Sequence, residues 1–93
     1  MKRQTFTSVW DAIEDTAESA ANMRVRAELM VEIERYVRGK ELSQADAAKK
    51  LGVTQPRLND LLRGKIDKFS LDALVNMLGR VGKQVSVRVG KAA

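Results

Sequence analysis

The strongest fold signal in this chain is the sequence SQADAAKKLGVTQPRLNDLLRG, residues 43–64. Ser43 and Thr54 are residue types that cap helix N-termini, because their hydroxyl oxygens accept hydrogen bonds from unpaired backbone N–H groups. Pro56 suits the first turn of a helix, where the backbone donors lack helical partners. The stretch therefore predicts two short helices, over residues 44–51 and 55–62.

The connection between these helices has the spacing of a helix-turn-helix motif. Only residues 52–54 separate them, and Gly52 allows the left-handed backbone that such a sharp exit requires. Ala48 is small enough to let the two helices cross closely. Apolar residues stand where they would wedge the pair against the rest of the domain, namely Ala47, Leu51, Val53, Leu58 and Leu61. The fold class predicted is mainly α.

Helical signals also precede this motif. Apolar residues recur at helical spacing up to residue 38, and they predict a long helix capped by Thr16 or Ser19. Gly39 is expected to end it in a left-handed conformation. Upstream, residues 8–11 (SVWD) resemble a capping box that opens one short turn of helix.

The hydrophobic period changes near the end of the chain. Ser70 caps a predicted fourth helix that ends at Gly79 or Gly82. Residues 84–89 (QVSVRV) then alternate polar and apolar, which is typical of a strand with one buried face. A partner strand could come from residues 5–7, but the same strand of a second copy satisfies the backbone better and gives a two-fold dimer. A frayed tail is the alternative. The expected dimer interface is formed by Val85, Val87 and Val89.

These elements divide the 93 residues into three parts. Residues 1–15 are interpreted as an N-terminal arm with a possible short helix, residues 16–82 as the helical helix-turn-helix domain with its motif at residues 43–64, and residues 83–93 as the C-terminal strand and tail. A chain of this length forms one small domain.

The composition excludes several classes of protein. There is no cysteine and no histidine, which removes disulfides, thiolate chemistry, the commonest metal ligand and the usual acid–base group. No apolar run is long enough to span a membrane, and the N-terminus lacks the pattern of a secretory signal. We therefore expect a soluble cytoplasmic protein that is not an enzyme and that uses no metal or cofactor.

The charge is unevenly distributed along the chain. Its net value is +5, but residues 1–34 carry seven acidic and four basic side chains, a net charge of −3. Residues 35–93 carry thirteen basic and five acidic side chains, a net charge of +8. A basic half that also contains the motif favours a polyanionic partner over a merely solvated surface.

The residues of the motif carry a resemblance to a known family. The run LSQADAAKKLGVTQPRLNDLLRGK (residues 42–65) resembles the Cro/CI-type, or XRE family, helix-turn-helix. The continuation IDKFSL (residues 66–71) is similar to a subgroup of small regulators that includes HigA-like antitoxins. The resemblance extends over about residues 8–89. It implies a Cro/CI-repressor-like helical bundle that binds DNA, either as a stand-alone repressor or as the antitoxin of a toxin–antitoxin pair.

The resemblance makes the third helix the recognition helix, which contacts DNA bases in this family. Its buried face should contain Leu58, Leu61 and Leu62, since residues advance by about 100° around a helix. The opposite ridge is polar, and the resemblance makes it the surface that enters the major groove of DNA. The base-contact candidates are Gln55, Pro56, Arg57, Asn59 and Asp60.

Side-chain chemistry suggests roles for these candidates. Gln55 can bind adenine at two points and Arg57 can do the same with guanine, while Asn59 is a second adenine candidate. Pro56 would pack on a sugar or a thymine methyl group. Asp60 can accept from a cytosine amino group, or it can orient Arg57 or Arg63, and we expect the orienting role.

Phosphate contacts are expected around this ridge. Gln44 matches the family position at which a side chain and a helix N-terminus meet a phosphate. The other phosphate candidates follow the third helix and are Arg63, Lys65 and Lys68.

The sequence thus predicts a dimeric repressor of double-stranded DNA. Two recognition helices would enter successive major grooves of an imperfect palindrome, about 34 Å apart. In an antitoxin, Trp10 and the neighbouring acidic side chains are the candidate surface for a basic toxin. Alternatively, Trp10 packs on the domain and the acidic groups are solvated. A protein-interaction module without DNA binding is the remaining alternative, although interface cores usually lack the charge that the third helix carries.

Overall fold

The computed structural model describes the backbone of residues 9–91 and the side chains of residues 20–91. The described chain is mainly α, and both predicted helices of the motif are present. Its elements are α1 (Val9–Gly39), α2 (Gln44–Leu51), α3 (Gln55–Leu62), a 3-10 turn (Ile66–Lys68) and α4 (Leu71–Arg80).

The first helix differs most from the prediction. It is continuous from Val9 and has 31 residues, so Thr16 and Ser19 lie within it rather than at its start. No glycine or proline occurs between residues 9 and 38, and nothing in that stretch therefore interrupts the helix. The boundary expected between residues 15 and 16 falls inside α1. Ser8, residues 5–7 and the side chain of Trp10 lie outside the described parts of the chain.

The end of α1 also corrects a prediction. Gly39 is the last helical residue and is not left-handed; the residue with positive φ is Glu41, at 53°. The helical hydrogen bonding continues past Gly39, because the Lys40 N–H donates to the Tyr36 carbonyl at 3.1 Å. The chain therefore reverses two residues later than expected.

The other three helices begin at the predicted caps. Each cap hydroxyl accepts from the backbone N–H three residues further on: Ser43 from Asp46 at 3.1 Å, Thr54 from Arg57 at 3.2 Å and Ser70 from Ala73 at 3.1 Å. These bonds satisfy donors that would otherwise be unpaired at each helix start. The caps thus set where α2, α3 and α4 begin.

The turn of the motif depends on Gly52. This residue has a φ of 78°, and its N–H lies within hydrogen-bonding distance of the Ala48 and Lys49 carbonyls, which ends α2. A Cβ atom at this position would also collide with the Arg80 side chain at the end of α4. Glycine is therefore favoured mainly by the left-handed backbone conformation, since the end of the flexible Arg80 side chain can move aside.

The core lies where α1 and α4 pack behind the motif. Its five least exposed large side chains are Ile33, Leu51, Leu58, Phe69 and Leu74. They come from α1, α2, α3, the loop before α4 and α4 itself, so all four α-helices contribute to one core. Burial of this apolar surface is the main force that fixes α3 relative to the rest of the domain.

The C-terminal segment is extended without forming a strand in the described chain. Residues 83–91 have no ladder partner among residues 9–91, and an isolated strand is not stable in water. Val85 packs against the core, whereas Val87 and Val89 are 82% and 89% exposed. The predicted pairing with a second copy stays a prediction, because it concerns two chains.

Candidate nucleic-acid interface

Helix α3 has one face fixed in the core and another open to solvent. Leu58 and Leu61 are 0% and 3% exposed, as their predicted place on the inner face requires. On the outside, Gln55 and Pro56 are exposed at the start of the helix, and Arg63 is exposed just after its end. The inner contacts therefore fix the orientation of the outer face.

The remaining base-contact candidates are only partly exposed. Arg57, Asn59 and Asp60 are each half-buried, in contrast to Gln55 and Pro56. The outer face of α3 thus has a freely accessible N-terminal end and a flank where side chains contact the following loop. All five candidates lie on one eight-residue helix, although the structure holds them differently.

Arg57 stacks on an aromatic ring that comes from outside the helix. Its guanidinium carbon lies 4.4 Å from the centroid of the Phe69 ring, which is a cation–π geometry. Phe69 is 1% exposed and belongs to the core. The stacking therefore connects a predicted DNA-reading side chain to a rigid part of the domain.

Asp60 has different partners from those expected. Its two carboxylate oxygens lie 3.5 Å from Lys65 Nζ and 3.6 Å from Lys68 Nζ, and it pairs with neither Arg57 nor Arg63 within the described residues. The predicted partners of Asp60 were the arginines three residues away along the chain. The chain instead reverses after α3 at Gly64, which has a φ of 78°. The reversal and the 3-10 turn bring both lysines back to Asp60.

These ion pairs matter more for charge than for stability. Both lysines are exposed, at 42% and 55%, and solvent-exposed pairs contribute little to folding. One carboxylate between two ammonium groups leaves a local charge of +1. The surface beside α3 therefore stays positive although it contains an acidic residue.

The phosphate candidates lie on two sides of the motif. Gln44 is the first residue of α2, directly after the Ser43 cap, and is half-buried. Arg63, Lys65 and Lys68 follow α3 and are exposed. A DNA backbone on this face would meet cationic groups mainly at the C-terminal side of α3.

A contact that the sequence analysis missed ties α1 to the loop after α3. Arg26 Nη1 donates to the Ile66 carbonyl at 3.2 Å and to the Phe69 carbonyl at 3.1 Å. Arg26 Nε is buried and has no hydrogen-bond partner among the described residues. One signal was present in the sequence, since Arg26 precedes Met30 by four residues on the core-facing side of α1. A charged residue on an apolar stripe requires a partner.

The arrangement of α2 and α3 agrees with the family to which the sequence is similar. The chain matches the model of a family described as a helix-turn-helix domain, over residues 12–90. The chain belongs to that family. The match includes the whole motif, the loop that carries Phe69, and α4. Membership indicates a DNA-binding regulator, and such domains typically bind DNA rather than catalyse a reaction. No curated protein matches the chain.

Two further findings concern other kinds of site. Within residues 9–91, no helix combines the length and the apolar character needed to cross a membrane. Residues 20–91, whose side chains the structure describes, hold no group of three or more acidic side chains arranged to bind a metal ion.

Proposed function

We propose that this protein is a sequence-specific transcriptional repressor that binds DNA as a dimer, with α3 as its recognition helix. The observation that carries the proposal is the division of α3 into an inner face sealed in the core and a polar outer face. Gln55 is exposed at the N-terminal end of this helix, where recognition helices contact base edges. The family membership supports the same conclusion.

The proposed base contacts follow from side-chain chemistry. Gln55 binds an adenine and Arg57 a guanine, each through two hydrogen bonds, and Asn59 is a second adenine contact. Pro56 packs on a sugar or a thymine methyl group. Asp60 orients Lys65 and Lys68 instead of an arginine, and it can still accept from a cytosine amino group.

Phosphate contacts provide the affinity in this proposal. Gln44 and the N-terminus of α2 bind one phosphate, while Arg63, Lys65 and Lys68 bind the backbone next to α3. Such contacts hold the protein in register on the duplex and make its affinity dependent on salt. The local positive charge that remains around Asp60 supports this role.

The C-terminal segment is the proposed dimer contact. Val87 and Val89 are almost fully exposed in the single chain, while Val85 lies against the core. Val85 also lines an open groove of about 510 Å³ beside α1, whose apolar lining includes Leu29 and Tyr36. Pairing of residues 84–89 from two copies would satisfy the strand backbones and cover these valines. A two-fold dimer of this kind presents two copies of α3, which suits a palindromic site.

The resemblance to HigA-like antitoxins supports a second partner, a basic toxin. The candidate surface is Trp10 with the neighbouring acidic residues Asp11, Glu14 and Asp15. Co-expression with the product of a neighbouring gene for a small basic protein tests this part. Recovery of a stable complex is the expected result, and two separate proteins would leave a stand-alone repressor.

Titration against the DNA upstream of the protein's own gene tests the function. We expect a discrete complex that survives random competitor DNA. Gln55→Ala should cost about 1–3 kcal/mol on the specific site and relax its sequence preference, because a two-point base contact is lost. Lys65→Ala should weaken specific and random DNA alike and reduce the salt slope by about one.

Lys49→Ala is the matched control for these variants. Lys49 is exposed on α2 and belongs to neither proposed contact set, so its replacement should change sequence preference less than that of Gln55. Equal affinity of the native protein for its upstream DNA and for random DNA would contradict the proposal. A protein-interaction module would then be the better interpretation.

A further inference from the structure

The Phe69 ring is held in place from several directions. Its side chain is buried in the core, and its carbonyl accepts from Arg26 Nη1 at 3.1 Å. Its backbone N–H donates to the Ile66 carbonyl at 3.2 Å. The ring is therefore a fixed surface beside α3.

Arg57 lies over this surface, with its guanidinium carbon 4.4 Å from the ring centroid. A guanidinium stacks through its flat face, whereas its five N–H donors point outward in the plane of the group. The stacking distance is 4.4 Å, and residues 20–91 contain no acceptor that takes a hydrogen bond from the Arg57 side chain. The arginine can therefore keep its contact with Phe69 while two of its donors bind one planar acceptor.

We infer that Phe69 is a positioning residue for DNA reading: its ring holds the Arg57 guanidinium ready for a two-point contact with guanine. This inference rests on the proposed function. A free arginine side chain would lose its rotamer freedom on binding, and stacking removes part of that freedom beforehand. A neutral ring also leaves the positive charge of Arg57 intact, which a carboxylate partner would offset.

The neighbouring acidic residue supports this assignment. Asp60 is the nearest candidate on α3 for orienting Arg57, yet its carboxylate pairs with Lys65 and Lys68. Two groups on the same helix are thus held by different means, Arg57 by a ring and Asp60 by two lysines. The lysines suit phosphate, a point charge, while the fixed planar guanidinium suits the edge of a base.

The test is a double-mutant cycle between Phe69 and Arg57, in which the measured quantity is the preference for each operator base pair over its alternatives. The operator guanine is first located as the base pair at which Arg57→Ala loses discrimination. Phe69→Leu, which removes the ring but keeps an apolar side chain, should then weaken operator binding roughly three- to tenfold through the lost stacking. The loss should be concentrated at that same base pair and should disappear in the Arg57→Ala background. Phe69→Tyr, which keeps the ring, should retain the discrimination.

Ile33→Val is the matched control for a change in the core. Ile33 is fully buried in α1, so this variant loses stability while the Arg57 and Phe69 side chains themselves are kept. All titrations are made at a temperature where circular dichroism shows each variant folded. We expect Ile33→Val to keep the guanine discrimination of the native protein.

The proton spectrum of the native protein gives a second readout that needs no variant. Protons of the Arg57 side chain above the Phe69 ring should be shifted upfield by its ring current. Unshifted Arg57 protons would overturn the inference, as would additive losses in the cycle or an equal loss at every base pair. Those results would leave the repressor proposal standing, whereas native protein without any preference for operator DNA would overturn both.

Discussion

Residues 43–64 and residues 83–91 differ in where their stabilising contacts lie. In the first region, the Ser43 and Thr54 hydroxyls each accept a hydrogen bond from the backbone N–H three residues further along the chain, and Leu58 is fully buried in the core. In the second region, alternating valines predict a strand, but the described chain offers no ladder partner and Val89 is 89% exposed. A helix satisfies its backbone within its own segment, whereas a strand needs another segment. A helix predicted from sequence can therefore form within one chain, whereas a predicted strand can require a second chain as its partner.

The largest expected effect is a loss of stability from a buried residue of the first region, residues 43–64. Leu58→Ala should lower the free energy of unfolding by about 2–5 kcal/mol, since it leaves a cavity between α3 and the core. Val89→Ala at low protein concentration should change it by less than about 0.5 kcal/mol, because the side chain is exposed. Urea denaturation followed by circular dichroism measures both values. Equal losses for the two variants would remove the distinction between the regions.

The turn of the motif should show an intermediate effect. Gly52→Ala should cost about 1–2 kcal/mol for the left-handed backbone, and a small further amount because the new Cβ displaces the end of the flexible Arg80 side chain. Gly82→Ala is the matched control at the border of the C-terminal segment, with a φ of 80° and open space around it. It should show the backbone cost alone. Arg80→Ala in the Gly52→Ala background should recover the difference, and thermal unfolding of all four proteins measures it.

The smallest expected effect on folding belongs to Val87. Val87→Ser should change monomer unfolding by less than about 0.5 kcal/mol, because this side chain is 82% exposed. It should nevertheless weaken the proposed dimer, which sedimentation across a range of protein concentrations would reveal. Val75→Ser, at a 40% exposed position on α4, is the control. An unchanged monomer–dimer equilibrium in Val87→Ser would leave residues 83–91 as a tail.

The parts of the fold that could be predicted are those with local causes. The caps at Ser43, Thr54 and Ser70 and the left-handed Gly52 each depend on neighbours within a few residues. The start of α1 was predicted wrongly because a hydroxyl residue inside an uninterrupted helix has the same local sequence as a cap. Only the absence of glycine and proline before residue 39 indicated one continuous helix.

The site was harder to predict than the fold. The division of α3 into inner and outer faces follows from helical periodicity, and Leu58 and Leu61 confirm it. The partners of Arg57 and Asp60 do not follow from it, because they lie beyond the reversal at Gly64. Arg26 reaches its carbonyl acceptors across 40 and 43 residues, a separation at which no sequence pattern specifies a contact.

The shortness of α2 and α3 has a thermodynamic consequence. Each has eight residues, and isolated helices shorter than about 12–15 residues are marginal in water. A peptide of residues 42–65 should therefore be largely unfolded, and the reading surface exists only while the core holds it. DNA that binds only the folded chain must then stabilise the protein and raise the protein's melting temperature. The free energy of unfolding rises by about 2.7 kcal/mol when the free DNA concentration is a hundred times the Kd. Operator occupancy and resistance to unfolding, and with it to proteolysis, are coupled through these two helices.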